Sequence, residues 1–380
     1  MRHHSYNPNF KFVVEPVNFN KLTDRNILQY CLGATLYMPG TKEILEKILN
    51  KEFNDITSIV MCFEDAIQED DVQKAENNVL NHLSKIDEAI QENKLSIDDI
   101  PLIFLRVRNP NQFKVFATRL TQVHTRTLSG FVFPKFYSSN ANEYFEQLED
   151  ICNEHNAVLY GMPILEGKTI AYKETRNEEL VLIKKLLEPY KERILNIRVG
   201  GTDFSSLFGV RRGINYSIYD ILTVRDCLSD ILNFFSRNED DYLVSAPVWE
   251  YFLAYKKDDL NSLIQENIHK SLMLRTPIIN EAIDGLLREV ILDKANGFVG
   301  KTIIHPSHAR YANAMQAVTK EEYDDAKQIL ETKGGVVKSA NSNKMNEINP
   351  HRSWAKKIVY RAKAFGVVED ETSFLKLIMS

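Results

Sequence analysis

The chain has 380 residues, a formal net charge of −5 and a hydrophobic fraction of 44%. These values are ordinary for a globular protein with a large core, so they disfavour extensive disorder and a nucleic-acid binder, which would be strongly basic. The four cysteines show no CxxC spacing, which argues against a zinc cage or a disulfide framework. Because the N-terminus is polar and no apolar run approaches the roughly 18 residues of a membrane helix, a soluble, cytoplasmic protein is expected.

Eight short apolar runs are rich in β-branched and aromatic residues, as is typical of buried parallel strands. In chain order they are ATLYM (34–38), SIVMCFED (58–65), LIFLRVR (102–108), GFVFPK (130–135), VLYGMPILEG (158–167), ILNIRVGGTD (194–203), YLVSAP (242–247) and FVGKTIIHP (298–306). Charged segments of helical periodicity lie between them, and this alternation predicts one α/β (β/α)₈ TIM barrel over residues 30–318. A doubly wound sheet is the less favoured alternative, because it usually has fewer strands and no GxGxxG motif opens the first helix.

Three segments differ from the strand–helix alternation. Residues 1–29 are an N-terminal extension, and a helical insertion is expected near residues 254–282. The C-terminal segment 319–380 is predicted to be helical, with a polar loop at 339–352 and an amphipathic helix at 353–366. An apolar stripe on this last helix must be buried, either on the chain's own barrel or as a lid on a neighbouring subunit. The stripe consists of Trp354, Ile358, Ala362 and Phe365.

Polar side chains close or interrupt four of the apolar runs, at the end of the barrel where this fold places its active sites. They are Glu64 and Asp65 in the second run, Arg106 and Arg108 in the third, Glu166 in the fifth and Asp203 in the sixth. Glu166 and Asp203 belong to adjacent strand ends, so both carboxylates can approach one hard cation, and Mg²⁺ typically takes one or two protein carboxylates. The alternative is that each carboxylate caps the helix that follows it.

Basic side chains at the strand ends suggest anion recognition. Arg106 and Arg108 share one face of the third strand, because strand side chains alternate with a period of two. The planar guanidinium of Arg106 can bind a carboxylate through two parallel hydrogen bonds. A salt bridge to the carboxylates of the second run is the alternative. Lys135 is interpreted either as a cation that positions Glu166 or as a solvated strand end.

Seven motifs occur in order across residues 33–335. They are TLYMPG (35–40), CFEDAI (62–67), LRVR (105–108), GFVFPK (130–135), MPILEG (162–167), GGTDF (200–204) and GFVGKTIIHP (297–306). Together they resemble the HpcH/HpaI aldolase–citrate lyase β-subunit family, in particular a divergent branch whose genes are associated with tellurite-resistance clusters. The resemblance implies a barrel of the phosphoenolpyruvate/pyruvate-domain type with a C-terminal helical extension.

The resemblance also implies roles for the residues that match the family's motifs. Glu166 and Asp203 match its metal carboxylates, which bind Mg²⁺ or Mn²⁺. Arg106 matches the arginine that binds the substrate carboxylate and stabilises an enolate, and Glu64 and Asp65 match catalytic carboxylates that support the metal's waters. Substrate-binding positions are further expected at Arg108, Lys135 and Gly201.

The implied activity is that of a metal-dependent carbon–carbon lyase or aldolase. Its substrate would be a small oxo- or hydroxy-acid or the acyl-CoA thioester of one, with coenzyme A as part of the substrate, and the protein would be a homo-oligomer, a trimer or hexamer. An acyl-CoA thioesterase on the same barrel and a catalytically inactive binding module are alternatives. Gly33 replaces the arginine that usually opens the first motif, Cys62 replaces an aspartate, and Glu347 stands near the place of a C-terminal aspartate. These departures bear on the acyl-CoA substrate more than on the metal site.

Overall fold

Seven parallel strands form the central sheet of the computed structural model, which describes residues 1–240, 242–252, 279–339 and 345–379. The strands are β1 (Ala34–Pro39), β2 (Ser58–Cys62), β3 (Leu102–Arg106), β4 (Leu128–Phe133), β5 (Tyr160–Leu165), β6 (Arg198–Val199) and β7 (Lys301–Ile303). Their order in the sheet is β6-β5-β4-β3-β2-β1-β7. Strands β2 to β5 are buried along their whole length, as is expected of parallel strands that are covered on both faces.

An eighth extended segment closes the sheet into a barrel. Val244 forms a parallel bridge with Ile197, next to β6, and Ala246 forms one with Lys301 of β7. Backbone amides donate hydrogen bonds of 2.8 and 3.1 Å across these two junctions. The predicted TIM barrel is therefore confirmed. The seventh predicted run pairs through isolated bridges rather than as a regular strand, because Pro247 has no amide hydrogen to continue the ladder.

Helices surround the barrel. They are α1 (Arg25–Cys31), α2 (Leu45–Leu49), α3 (Val72–Gln91), α4 (Pro110–Ala117), α5 (Gln122–Thr127), α6 (Ala141–His155), α7 (Lys168–Ala171), α8 (Lys173–Leu187), α9 (Gly201–Leu207), α10 (Leu222–Phe235), α11 (Glu281–Asn296) and α12 (His308–Ala314). Local sequence sets their ends: Asn109 caps α4 just before Pro110, and α6 ends where Asn156 adopts a left-handed φ of 47°. Most of the insertion expected near 254–282 falls on residues 253–278, which lie outside the described residues.

The N-terminal extension is packed into the fold. The buried His3 ring donates a hydrogen bond of 2.9 Å from Nε2 to the carbonyl oxygen of Cys31, at the end of α1. The same ring stacks on Phe365, with 4.4 Å between the ring centroids. Phe19 is buried as well. The extension thus connects the start of the chain to the C-terminal segment, beside the point where β1 begins.

The C-terminal segment contains both helices and short strands. They are β8 (Val318–Thr319), α13 (Lys320–Glu331), β9 (Val336–Lys338), β10 (Met345–Glu347), α14 (Ile348–Phe365), β11 (Val367–Val368) and α15 (Ser373–Met379). The prediction of a loop at 339–352 is wrong for its second half, because β10 and the first turn of α14 lie there. Residues 340–344 of the predicted loop lie outside the described residues. The regular structure forms because Ile348 is fully buried and Asn346 donates a hydrogen bond of 3.1 Å to Asp325.

Helix α14 packs on the chain's own barrel. The buried members of the predicted stripe are Ile358, Ala362 and Phe365. Trp354 is 37% exposed, and Tyr360 stacks on Tyr30 of α1 with 5.5 Å between centroids. Because α1 leads into β1, this contact places α14 at the amino end of the barrel, away from the polar strand ends. Within one chain the helix therefore does not cover them. None of the described helices has the length and apolarity needed to cross a bilayer.

Candidate active site

Side chains from four strand ends meet at the carboxyl end of the barrel. Glu64 and Asp65 follow β2, Arg106 is the last residue of β3, and Glu166 follows β5 directly. Asp203 lies in the first turn of α9, which follows β6. Parallel strands end at the same edge of a sheet, so residues far apart in sequence converge here. Four of these five side chains line a cavity of about 220 Å³, and the fifth, Glu64, forms an ion pair with Arg106.

Arg106 is the centre of this group. Its Nη2 atom lies 2.7 Å from Glu64 Oε2, 3.2 Å from Asp65 Oδ2 and 3.3 Å from Glu166 Oε1. Burial opposes the charged guanidinium, but the neighbouring carboxyl groups of Glu166 and Glu64 hold its pKa above the ordinary value. The salt bridge that was predicted between Arg106 and the carboxylates of the second run is therefore present. Arg106 also pairs with a third carboxylate, Glu166, directly after β5.

Glu166 is buried and Asp203 is partly buried, and burial disfavours the ionisation of both carboxyl groups. Burial raises the pKa of Glu166 to about 8, with Arg106 acting in the opposite direction and Asp203 adding to the rise. Burial also raises the pKa of Asp203, although a hydrogen bond with Glu166 lowers it. Two carboxyl groups that face each other at low solvent exposure are stabilised in their charged form by a cation between them.

Lys135 holds two of the carboxylates in place. Its Nζ atom lies 2.6 Å from Glu64 Oε1, and its backbone amide donates a hydrogen bond of 2.8 Å to Glu166 Oε1. The residue has a φ of 45°, a left-handed conformation that is uncommon outside glycine and often marks functional sites. Lys135 therefore contacts Glu166 through its backbone amide, while its cationic side chain pairs with Glu64 and is about half exposed. Its role as a cation that positions Glu166 stays a prediction.

The group carries an excess of negative charge. Its carboxylates are Glu64, Asp65, Glu166 and Asp203, and its cations are Arg106 and Lys135. When all six are ionised, two negative charges remain, which one divalent cation would balance. No group of three or more His, Cys, Asp or Glu side chains among the described residues is arranged to hold a metal. Two neighbouring carboxylates nevertheless suffice for Mg²⁺, which keeps several waters, so the residues present fit that ion.

Gly200, between β6 and α9, leaves room for the two carboxylates. A Cβ atom at this position would lie 2.4 Å from Glu166 Cβ, 2.6 Å from Glu166 Oε2 and 3.1 Å from Asp203 Oδ2. The backbone there has a φ of −97°, which any residue can adopt. The glycine is therefore required by the close approach of Glu166 and not by its backbone conformation.

Gly200→Ala is expected to weaken Mg²⁺ binding at least tenfold while the protein stays folded, because the new methyl group displaces the Glu166 carboxylate. Titration calorimetry with Mg²⁺ measures the affinity, and circular dichroism checks the fold. Gly213→Ala is the matched control, since its Cβ atom would make only an ordinary contact of 3.5 Å with Tyr216. Equal affinities in the two variants would show that the position of Glu166 does not determine metal binding.

Two further predicted substrate-binding residues differ in their placement. Gly201 lines the cavity. Arg108 lies outside it: Nη1 is 3.4 Å from the carbonyl oxygens of Phe63 and Ile67, and Nη2 is 3.3 Å from Glu69. These contacts tie Arg108 to the loop after β2, and its role in substrate binding stays a prediction.

Sequence reasoning did not single out Arg198 and Tyr37, which also line the cavity. Arg198 lies on β6 and is 1% exposed, and its guanidinium carbon is 5.3 Å from the centre of the Tyr37 ring. The sequence does contain a feature that could have identified Arg198: it is a charged residue within the apolar run ILNIRVGG (194–201). Arg106 interrupts the apolar run LIFLRVR (102–108) in the same way.

The fold and the site define a class of protein. It is a TIM barrel in which carboxylates and an arginine at the carboxyl ends of the strands surround a cavity of small-molecule size. A family model described as C-C bond lyase of the TIM-barrel fold matches residues 26–367. The chain belongs to this family and is a carbon–carbon lyase.

Solved structures of similar fold agree with the predicted resemblance. Protein CitE from Mycobacterium tuberculosis, in complex with magnesium, acetoacetate and coenzyme A, is 15% identical over 88% of this chain and 99% of its own, with a TM-score of 0.53. Malate synthase from Haloferax volcanii, as a lead(II) complex, is 13% identical over 76% of this chain and 74% of its own, with a TM-score of 0.50. At such identities these similarities establish the fold. The search of curated proteins found no match.

Proposed function

We propose that this protein is a divalent-metal-dependent lyase or aldolase that acts on a small oxo- or hydroxy-acid, or on its acyl-CoA thioester, through an enolate. The observation that carries the proposal is the cluster around Arg106, where four carboxylates face two cations beside a small cavity. The ligands of CitE, which are magnesium, acetoacetate and coenzyme A, support the same class of substrate and Mg²⁺ as the metal, with Mn²⁺ as an alternative.

Cleavage of a carbon–carbon bond beside a carbonyl group leaves its electron pair on an enolate, and preorganised positive charge stabilises that enolate. Arg106 would donate to the enolate oxygen, with its guanidinium oriented by Glu64 and Asp65. Lys135 holds Glu64 and Glu166 before the substrate arrives. Glu166 and Asp203 would hold the metal ion, which supplies Lewis-acid stabilisation of the same developing charge.

Arg106→Lys is expected to lower kcat/KM on the order of 10²-fold, about 3 kcal/mol, because lysine keeps the charge but loses the planar fork. The melting temperature should change little, since the carboxylates keep a cationic partner. Arg108→Lys is the matched control just after the same strand, outside the cavity, and should leave kcat/KM nearly unchanged. Near-normal activity of Arg106→Lys together with a large loss in Arg108→Lys would assign the role to Arg108.

Product analysis tests the proposed reaction. The purified protein would be incubated with Mg²⁺ and a panel of acyl-CoA thioesters and 2-oxo acids, and released pyruvate, oxaloacetate, glyoxylate and acetyl-CoA would be measured. Release of two carbon fragments supports a lyase. Free coenzyme A with an intact acid would instead identify a thioesterase, and binding without turnover would identify an inactive binding module. The cost of keeping buried carboxylates and cations around one cavity argues against the last outcome.

We also propose that the protein assembles as a homo-oligomer, either a trimer or a hexamer, as the resemblance to the citrate lyase β-subunit family implies. Size-exclusion chromatography with multi-angle light scattering measures the mass in solution. A mass equal to one chain of 43.9 kDa would contradict the proposal.

A further inference from the structure

Two neighbouring cavities lie at the amino end of the barrel, opposite the carboxylate cluster. Helix α14 forms a wall of both cavities. Helix α1, which leads into β1, borders the first, and the end of α11, which leads into β7, borders the second. The first cavity has a volume of about 230 Å³ and the second of about 490 Å³. Asn238, Ser353 and Lys357 line both, so the cavities share a wall.

The walls of these two cavities carry an excess of positive charge. Five basic side chains line them, against a single described carboxylate, that of Glu322. The basic residues are Arg237, Lys294, Lys356, Lys357 and Arg361. This concentration of positive charge stands out in a chain whose formal net charge is −5. Basic side chains that line a concave surface attract anions.

Glu322 interacts with two cations of the second cavity. Its Oε2 atom lies 3.5 Å from Lys294 Nζ and also accepts hydrogen bonds from the amide and hydroxyl of Thr319. Arg361 is 7% exposed, and its Nη2 atom donates a hydrogen bond of 3.2 Å to the carbonyl oxygen of Phe298. Its Nε atom has no hydrogen-bond partner in the described part of the chain. Burial lowers the pKa of both cations, with Glu322 acting in the opposite direction. An added anion would therefore stabilise this pair of cations.

The first cavity is lined by buried polar groups that lack partners. Gln29 of α1 is 6% exposed, and Tyr242 is 2% exposed. The Gln29 Oε1 atom and the Tyr242 hydroxyl form no hydrogen bond with any residue that the structure describes. Buried polar groups are normally paired, and an unpaired one calls for an explanation such as a bound molecule. These two groups are therefore available to a polar ligand.

We propose that the two cavities form a binding site for a small molecule that carries a di- or triphosphate group. Lysine binds phosphate as a compact point charge, and several linked phosphates bring enough negative charge for a group of five cations. The phosphates would lie beside Lys357, which lines both cavities, and Arg361. Cavities of this size suit small ligands, and the chain's net negative charge disfavours a nucleic acid. The site lies apart from the proposed reaction and does not depend on it.

Titration calorimetry with pyrophosphate and with ADP tests the site. The buffer contains EDTA and no divalent metal, so neither probe can bind through a metal ion at the carboxylate cluster. The wild-type protein should bind pyrophosphate, with an affinity that falls as sodium chloride is added. Equal affinities for the two probes would identify the phosphate chain as the ligand, and tighter binding of ADP would identify a nucleotide. No binding of either probe, by calorimetry and by thermal shift, would overturn the inference.

Lys357→Gln should weaken pyrophosphate binding on the order of tenfold, because it removes the cation that both cavities share. Lys363→Gln is the matched control. It removes the same charge from the same helix, but Lys363 is exposed and lines neither cavity, so the affinity should stay nearly unchanged. Circular dichroism checks that both variants are folded. Equal losses of affinity in the two variants would reveal a general effect of charge and overturn the site.

Arg198→Gln separates this site from the cavity at the carboxyl end of the barrel. Arg198 lines that cavity and neither of the two described above, so the variant should bind pyrophosphate as tightly as the wild-type protein. Weak binding in Arg198→Gln together with normal binding in Lys357→Gln would place the phosphate at the carboxyl end. That result would overturn the inference.

Discussion

Glu166→Gln is expected to abolish Mg²⁺ binding and turnover while the barrel stays folded. The carboxylate is 4% exposed, and burial raises its pKa to about 8, so the folded protein without metal already favours a neutral group at this position. Glutamine is that neutral group with the same shape, and it can still accept the hydrogen bond from the Lys135 amide. It cannot supply the negative charge that a divalent cation requires. Calorimetry with Mg²⁺ and a melting curve measure the two effects.

Asp203→Asn should have the same effect on Mg²⁺ affinity, because the two carboxyl groups share one hydrogen bond and are proposed to share one ion. Glu76→Gln is a suitable control, since Glu76 is a buried glutamate that pairs with Arg119 away from the site. It should bind Mg²⁺ normally. If Asp203→Asn kept full affinity while Glu166→Gln lost it, Asp203 would only stabilise the first turn of α9, which was the alternative open from the sequence.

The barrel and the positions of the carboxylates could be predicted because both depend on local patterns. A carboxylate that closes an apolar run lies at the carboxyl edge of the sheet, as Glu166 shows directly after β5. What a side chain contacts depends on the rest of the fold. Arg106 and Arg198 both interrupt apolar strands, yet one faces three carboxylates and the other faces hydroxyl groups and a ring. No feature of the two segments distinguishes these surroundings.

The ends of the chain were harder to predict for a related reason. The polar N-terminal residues show no periodicity, although His3 is fully buried between Cys31 and Phe365. Similarly, an apolar stripe on a helix predicts burial but does not identify the surface that buries it. Trp354 and Phe365 both belong to the predicted stripe, and only Phe365 reaches the core.

Because Phe365 is buried in the core, its substitution is expected to have the largest effect on stability. Deletion after Gly335 would remove part of the main core, because Phe365, Val368 and Phe374 belong to it. A single substitution is the cleaner test. Phe365→Ala should lower the free energy of unfolding by about 3 to 5 kcal/mol, because it leaves a cavity between the barrel and the N-terminal extension. Urea denaturation measures this value.

Trp354→Ala is the matched control on the same helix, and it should cost about 1 kcal/mol or less, since Trp354 is 37% exposed. Because α14 lies at the amino end of the barrel, both variants should keep the wild-type kcat at temperatures where they remain folded. A segment that closes over a neighbouring active site would behave differently. In that case Trp354→Ala would lower kcat at unchanged stability, because water would reach the enolate. Stability and kcat measured on the two variants therefore determine whether the C-terminal helix stabilises its own barrel or protects the reaction of another subunit.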